Sequence, residues 1–343
     1  MIQMSHTQRL FSAVAVLAVA VSMSGCSSGK QEAAGGSGGQ GKKSGPLQIT
    51  YIQKQGDQQY FVEEAEGARA EAKKLGNIKL TVVNVGTDSN AAITAVNTAV
   101  AQGANGVAIV VPDAKIGPQV ASILDKANIL YVASDDPFKK ASGDAAPWVS
   151  IDSLTMGRQV GEKAGALFKA AGWSAADTRI ISVKQEDQQV CQEREQGQLE
   201  TFKTAAGDLP NVVKVGTDNT FPTALSKTGA AMTANQGVKK WVVVGCNDEG
   251  VTGSVKALQN GGVASADIIG VGLGAYLACK DWKAGVDSGN KAALYIDGRV
   301  DGAASVRVLV EALRGGTKLP AQTLGKAVMV DPTNWKQSGM GCS

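Results

Sequence analysis

The sequence predicts an α/β protein built as two doubly wound, parallel-sheet lobes. Three observations predict it. The chain has 343 residues, 43% hydrophobic and 19% charged, which is enough apolar mass for two cores at about 100–200 residues per domain. Eight short runs rich in Val, Ile and Leu recur in two sets of four, as strands buried on both faces of a parallel sheet do. Between them, apolar residues recur at helical spacing, and strands alternating with helices argue for βαβ units.

The first set of strands is expected at residues 47–52, 80–85, 106–111 and 129–134. The second is expected at 180–184, 212–216, 241–245 and 268–272. Ile93, Val96 and Val100 mark a helix with Ser89 as its expected cap. Val120, Leu124 and Ala127 mark the next. Val160, Ala164 and Leu167 do so in the second half, as do Val251, Val255 and Leu258. Val306, Leu309 and Leu313 run into Arg314-Gly315, a helix stop. The break between the halves falls near residues 147–152.

The start of the chain reads as an export signal. Residues 1–9 are polar and carry Arg9, and residues 10–21 are small or apolar except for Ser12. That run is too short for the roughly 20 residues a membrane-spanning helix needs. Ser24-Gly25-Cys26 resembles a bacterial lipobox, which implies cleavage after residue 25 and a diacylglyceryl group on Cys26. Residues 26–45 then read as that lipidated cysteine and a Gly/Ser-rich tether, too poor in large apolar residues to offset the entropy of ordering. The expected location is outside the cytoplasm, held by lipid to the outer face of the cytoplasmic membrane, or periplasmic.

Composition removes several function classes. The single histidine, His6, lies in the segment expected to be cleaved. A Ser-His-Asp triad, a Cys-His pair and a His-ligated zinc are therefore excluded from the expected mature chain. Setting aside Arg9, Lys30, Lys42, Lys43 and Glu32, the residues from 46 onward carry 30 basic and 30 acidic side chains. A nucleic-acid binder shows a basic surplus, so nucleic acid is not an expected partner. Cys191, Cys246, Cys279 and Cys342 have no CxxC spacing. Export permits disulfides among them, with three possible pairings, and four free thiols are the alternative.

Ligands of such sheets bind beyond the carboxyl ends of the strands. After the first strand come Lys54, Gln58, Tyr60 and Phe61. The two aromatics suit the apolar face of a sugar ring, with Lys54 and Gln58 donating to hydroxyls; packing in the core is the other reading. The fourth strand ends in Ser134-Asp135-Asp136-Pro137-Phe138. Two adjacent carboxylates accept from a ring of hydroxyls, or form a solvated turn or a calcium site. Arg194, in the stretch 185–197, offers a fork of donors. Asn247 follows the strand at 241–245 and offers both a donor and an acceptor, and Asp248 is the expected cap of the next helix. Gly270-x-Gly272-x-Gly274 lacks the third glycine of a dinucleotide loop. No cofactor and no metal are expected.

In this order, the pieces resemble the periplasmic sugar-binding proteins of ABC importers, of the arabinose-, ribose- and galactose-binding type. The resemblance spans residues 46–340 and is strongest over 238–272, VKKWVVVGCNDEGVTGSVKALQNGGVASADIIGVG. It implies a type I periplasmic binding protein fold, with lobes joined by three hinge segments near 148–152, 292–297 and 327–331. Lobe 1 would be 46–150 plus 292–327, and lobe 2 would be 151–291 plus 328–343. The implied ligand contacts are Lys54, Gln58, Tyr60, Phe61, Asp135, Asp136, Arg194, Phe221 and Asn247. The family carries Asn or Asp where this chain has Gly274, and the arabinose type carries Asp where it has Leu277; Tyr276 is the expected substitute donor. The implied partners are a monosaccharide or polyol, ABC permease subunits and the membrane through the lipid anchor, and the implied state is a monomer. All four remaining cysteines map to lobe 2, which suggests pairing 191 with 246 and 279 with 342.

Other classes fit less well. A glycosidase needs two carboxylates about 5–9.5 Å apart flanking a bond, which adjacent aspartates do not supply. A sugar-responsive transcription regulator would lack its DNA-binding helices and would not be exported. A ligand carrier for a chemoreceptor or sensor kinase fits as well as a transport receptor.

Overall fold

The structure is a computed structural model and describes residues 42–342. The expected export signal and Cys26, the expected lipidation site, lie outside the described residues. So does most of the expected tether, whose last residues are described: the Lys43 backbone N–H donates to the Leu313 carbonyl at 2.9 Å.

Two six-stranded sheets carry the molecule. The first contains β1 (Leu47–Gln53), β2 (Ile78–Asn84), β3 (Gly106–Ile109), β4 (Leu130–Ser134), β5 (Trp148–Ser150) and β11 (Gln322–Leu324), in the order β11-β5-β4-β3-β1-β2. The second contains β6 (Thr178–Lys184), β7 (Asn211–Gly216), β8 (Lys240–Gly245), β9 (Ile268–Leu273), β10 (Asn290–Ile296) and β12 (Ala327–Val330), in the order β12-β10-β9-β8-β6-β7. Every pairing is parallel except β10 with β12. Each sheet is covered on both faces by helices, so its central strands are buried throughout, β3 and β9 at every residue.

All eight expected strands are present. The lobe boundaries differ from expectation. β10 pairs with β9, Ala293 opposite Gly272, so residues 290–296 belong to the second sheet and not to lobe 1. Residue 327 likewise begins β12 of the second sheet. The chain therefore crosses between sheets at residues 151–152, at Asp297 and at 325–326.

Two helix pairs pack closely enough to fix the site behind them. α1 (Gln59–Leu75) lies on α9 (Gly298–Gly315), where a Cβ on Gly302 would stand 1.9 Å from the Glu64 carbonyl oxygen. α4 (Ser153–Ala170) lies on α5 (Gln189–Ala206), where a Cβ on Gly157 would stand 2.2 Å from the Arg194 carbonyl oxygen. Only glycine permits such backbone approach. The remaining long helices are α2 (Ser89–Ala101), α3 (Gly117–Lys126), α6 (Phe221–Thr233) and α7 (Asp248–Asn260), with the short α8 at Ala278–Ala284.

Two caps shift by one residue. Asp88, not Ser89, caps α2, accepting from the Asn90 and Ala91 N–H groups. Asn247, not Asp248, caps α7, accepting from the Gly250 N–H at 3.0 Å. Disulfides join Cys191 to Cys246 and Cys279 to Cys342. No described helix is long and apolar enough to cross a membrane.

Candidate functional site

A cavity of about 250 Å³ lies between the carboxyl ends of the two sheets. The loops after β1, β4, β6, β7, β8 and β9 reach it, as the topology requires. Four non-glycine residues with positive φ sit on these loops: Gln55 (45°), Asp135 (59°), Asn219 (62°) and Ala275 (67°). Each such conformation costs on the order of 1–3 kcal/mol and persists only where its surroundings hold it. Asp135 is held by its own backbone, its N–H bonded to the Val149 carbonyl and its carbonyl to Trp148 Nε1, at 2.9 and 2.8 Å.

Lobe 1 supplies a charged wall. Lys54 Nζ forms an ion pair with Asp136 and lies 5.4 Å from the Phe61 ring centroid. Tyr60 turns its hydroxyl inward to Asp135 Oδ1 at 3.2 Å and Asp301 Oδ2 at 3.0 Å. Burial, then the neighbouring Asp136, pushes the Asp135 carboxyl up to about 6, against Lys54 and Arg194.

Lobe 2 supplies the facing wall. Arg194 is 9% exposed; its Nη1 donates to the Cys246 carbonyl at 2.9 Å, while its buried Nε has no partner. The Cys191–Cys246 disulfide lies beside it in the cavity lining. Asn247 spends its carbonyl oxygen on the α7 cap and its amide on the Asn219 carbonyl and Glu249 Oε2, both at 2.8 Å. Burial pushes Asp248 up to about 6 and Glu249 up to about 8. At the mouth, Gln188 Nε2 of lobe 2 reaches the Pro112 carbonyl of lobe 1 at 3.3 Å.

Nine of the ten side chains expected to contact a ligand line this one cavity: Lys54, Gln58, Tyr60, Phe61, Asp135, Asp136, Arg194, Asn247 and Tyr276. Phe221 does not. It is the first residue of α6, and Asn219, two residues earlier, takes the place at the cavity wall. Tyr276 lines the cavity, but its hydroxyl donates to the Ile296 carbonyl at 2.6 Å and so is committed to the hinge strand rather than to a ligand. Gly274 has φ +120°, a conformation that strains any side chain, and a Cβ there would press at 3.2 Å on both Asp248 Cβ and the Tyr276 ring, so glycine is the residue this backbone favours. Gln188, Asn219, Asp248 and Glu249 also line the cavity, and the sequence alone does not mark them as ligand groups. Gln188 lies inside the stretch 185–197 that carries Arg194, whereas Asn219 is set by a turn with no apolar pattern. Among the described residues, no group of three or more His, Cys, Asp or Glu side chains is arranged to hold a metal ion.

A residue-wide match to the periplasmic binding protein domain covers residues 49–317. The chain belongs to the periplasmic binding protein family. It is 26% identical over 304 residues to the ABC transporter L-arabinose-binding periplasmic protein of Azospirillum brasilense, covering 87% of this chain and 90% of that one. In fold it resembles an ABC transporter solute binding protein from Mycobacterium smegmatis with bound glycerol, at TM-score 0.73 and 22% identity, over 87% of this chain and 98% of that one. It likewise resembles a periplasmic solute binding protein from Actinobacillus succinogenes with bound D-allose, at TM-score 0.73 and 19% identity, over 85% and 99%. The two-lobed architecture is the type I periplasmic binding protein fold.

The buried carboxyls give this binding protein a definite pH response. Asp135, Asp248, Asp301 and Glu249 all titrate above the unfolded carboxyl range of about 4, at about 6, 6, 7 and 8, chiefly because of burial. Between about pH 4 and 8 the folded state therefore holds more protons than the unfolded one, and stability falls as pH rises. Carboxyls lowered by hydrogen bonds, such as Asp218, Asp331 and Asp287, act only below that window. The ligand-free protein is expected to melt at a higher temperature near pH 5 than near pH 8. A calorimetric melting temperature that is flat or rises over this range would contradict the assignment.

Proposed function

We propose that this chain is the extracytoplasmic receptor of an ABC importer, and that it captures one monosaccharide or polyol between its lobes for delivery to the permease. The observation that carries this reading is the composition of a single small cavity. Asp135 and Asp136 face it from one lobe and Arg194 and Asn247 from the other, with the Tyr60 and Phe61 rings beside them. Paired acceptors, a guanidinium fork and aromatic faces together match a ring or chain of hydroxyls with an apolar C–H face. The cavity lies below the roughly 300–1,000 Å³ typical of drug-sized ligands, in keeping with one small molecule. The arabinose-binding relative supports a sugar as ligand, and the family supports binding and hinge closure rather than catalysis.

A thermal-shift panel of pentoses, hexoses and polyols tests the ligand class. With a dissociation constant on the order of 1 µM, or about −8 kcal/mol, a ligand at 100 times that concentration stabilises the folded state by about 2.7 kcal/mol. An upward shift on the order of 5–10 °C is expected for the cognate compound. No shift from any member at millimolar concentration would overturn the sugar reading.

The same proposal places the receptor on a lipid anchor at Cys26, supported by the Ser24-Gly25-Cys26 ending and the polar stretch after it. Cys26→Ser is expected to move the protein from the membrane fraction to the soluble one. A variant that still pellets with membranes and still labels with palmitate would remove the anchor from the proposal.

A further inference from the structure

Behind Asp135, one layer deeper than the cavity wall, lie two carboxyl groups that the ligand reading does not use. Glu64 on α1 is 0% exposed and Asp301 on α9 is 1% exposed. Each has one oxygen without a hydrogen-bond partner, Glu64 Oε2 and Asp301 Oδ1. The two residues are far apart in sequence and are brought together by the close packing of α1 on α9.

Hydrogen counting constrains their charge. The Tyr60 hydroxyl has one proton yet touches both Asp135 Oδ1 and Asp301 Oδ2, at 3.2 and 3.0 Å. It donates to one and accepts from the other, so one of the two aspartates carries a proton. Asp135 has the carboxyl of Asp136 beside it but also faces two cations, Lys54 and Arg194, and Ser150 Oγ donates to it at 3.4 Å. Around Asp301, by contrast, the charged neighbours are Asp135 and Asp297, both acidic. The proton therefore belongs on Asp301, and the chain runs from the Asp301 acid to Tyr60 to ionised Asp135.

Glu64 lies in the adjoining cluster of hydroxyls. Ser305 Oγ donates to the Asp301 carbonyl at 3.0 Å and stands 2.9 Å from Ser134 Oγ. Ser134 Oγ is 2.9 Å from the Tyr51 hydroxyl and 3.5 Å from Glu64 Oε1, and Tyr51 also hydrogen-bonds Glu64. Glu64 Oε2 has no partner, and the charged groups acting on Glu64 are Asp135, Asp301 and Asp136, so no cation offsets a charge there.

We propose that Asp301 and Glu64 are neutral carboxylic acids in the ligand-free protein near neutral pH, and that Asp301 is a positioning residue which aims the Tyr60 hydroxyl at Asp135 and leaves Asp135 an ionised acceptor toward the cleft. Burial raises both acids, Asp301 to about 7 and Glu64 well above the carboxyl range, in the same direction as the hydrogen count at Asp301 and the acidic surroundings of Glu64. Capture of a hydroxyl donor is then proton-linked: it draws on the form with Asp301 protonated and Asp135 ionised, and weakens as pH falls through about 6, where Asp135 takes up a proton. The inference concerns groups behind the cleft and stands whatever small molecule the cleft takes.

Infrared difference spectroscopy of the ligand-free protein near pH 6.5, below the Asp301 value of about 7 and where ordinary carboxyls at about 4 are ionised, reads the protonated acids directly. The expected result is a carboxylic-acid carbonyl band in the wild type that loses one component in Asp301→Asn and another in Glu64→Gln. A second readout separates positioning from mere packing: Asp301→Asn should fold and should flatten the fall of melting temperature between about pH 6 and 8, because the titrating group has become a permanent neutral donor. Absence of the band in the wild type overturns the proposal, as does a band unchanged in both variants. Failure of both amides to fold also overturns it, since each is the near-isostere of the acid assigned to its site.

Discussion

Arg194→Ala is expected to weaken binding of the compound selected by the thermal-shift panel by about 30- to 1000-fold, or about 2–4 kcal/mol. The guanidinium is buried, one end fixed by the Cys246 carbonyl at 2.9 Å and the Nε left without a partner. A buried donor without a partner costs about 1–3 kcal/mol, and an acceptor on a captured ligand removes that cost. Arg194 also stands opposite Asp135 and holds its carboxyl down against burial. Removing the cation thus takes away a donor and reduces the ionised fraction of the acceptor on the facing wall. Asp136→Ala should be comparably damaging, because it strands the half-buried Lys54 beside it. Glu193→Ala is the control. Glu193 lies next to Arg194 in sequence but outside the cavity lining, bonded to Gln189 on its own helix at 2.7 Å. Its affinity should change by less than about threefold, the size of a small surface effect. Calorimetry on the three variants decides it; wild-type affinity in both Arg194→Ala and Asp136→Ala would place the site elsewhere.

The parts legible in the sequence were those written in local pattern. Most of the eight main strands are near-continuous apolar runs, and their carboxyl ends located the candidate site without any tertiary information. β10 was missed because it opens with Asn290-Lys291 and reads as a mixed run, although the strand is buried at all but one position. β5, β11 and β12 have only three or four residues, below the length at which alternation is readable. The two caps slipped by one residue because Asp88-Ser89 and Asn247-Asp248 each offer adjacent capping side chains. Which one reaches the free N–H groups is decided by φ and ψ, not by residue type.

What pattern could not reveal was the direction of side chains set from a distance. The hydroxyl of Tyr276 is taken by a carbonyl twenty residues on, at the end of a strand that was not anticipated. Tyr60 looked like a ring for a sugar face, yet its hydroxyl is bonded to Asp301, 241 positions away. The acids behind Asp135 are individually ordinary helix residues. Only the glycine-lined contact of α1 with α9 turns them into a buried cluster.

The second large effect should come from the disulfide in the cavity lining. Cys191→Ala with Cys246→Ala removes a cross-link between residues 55 apart, joining the first turn of α5 to the end of β8. Chain-entropy arguments put such a loop at about 4 kcal/mol, which corresponds to a fall in melting temperature on the order of 10 °C. Affinity should fall as well. α5 carries Arg194, and Cys246 carries the carbonyl that anchors it, so the tether fixes donor and anchor relative to each other. Cys279→Ala with Cys342→Ala provides the contrast. That bridge spans a similar separation, 63 residues, but lies in the cluster formed by α8 and the C-terminal residues, away from the cavity lining. It should lower stability while leaving affinity near wild type. Melting curves and calorimetry on the two double variants separate the roles. Equal loss of affinity in both would mean that the Cys191–Cys246 bridge acts only through global stability, and unchanged melting and affinity in its own variant would mean that it holds nothing in place.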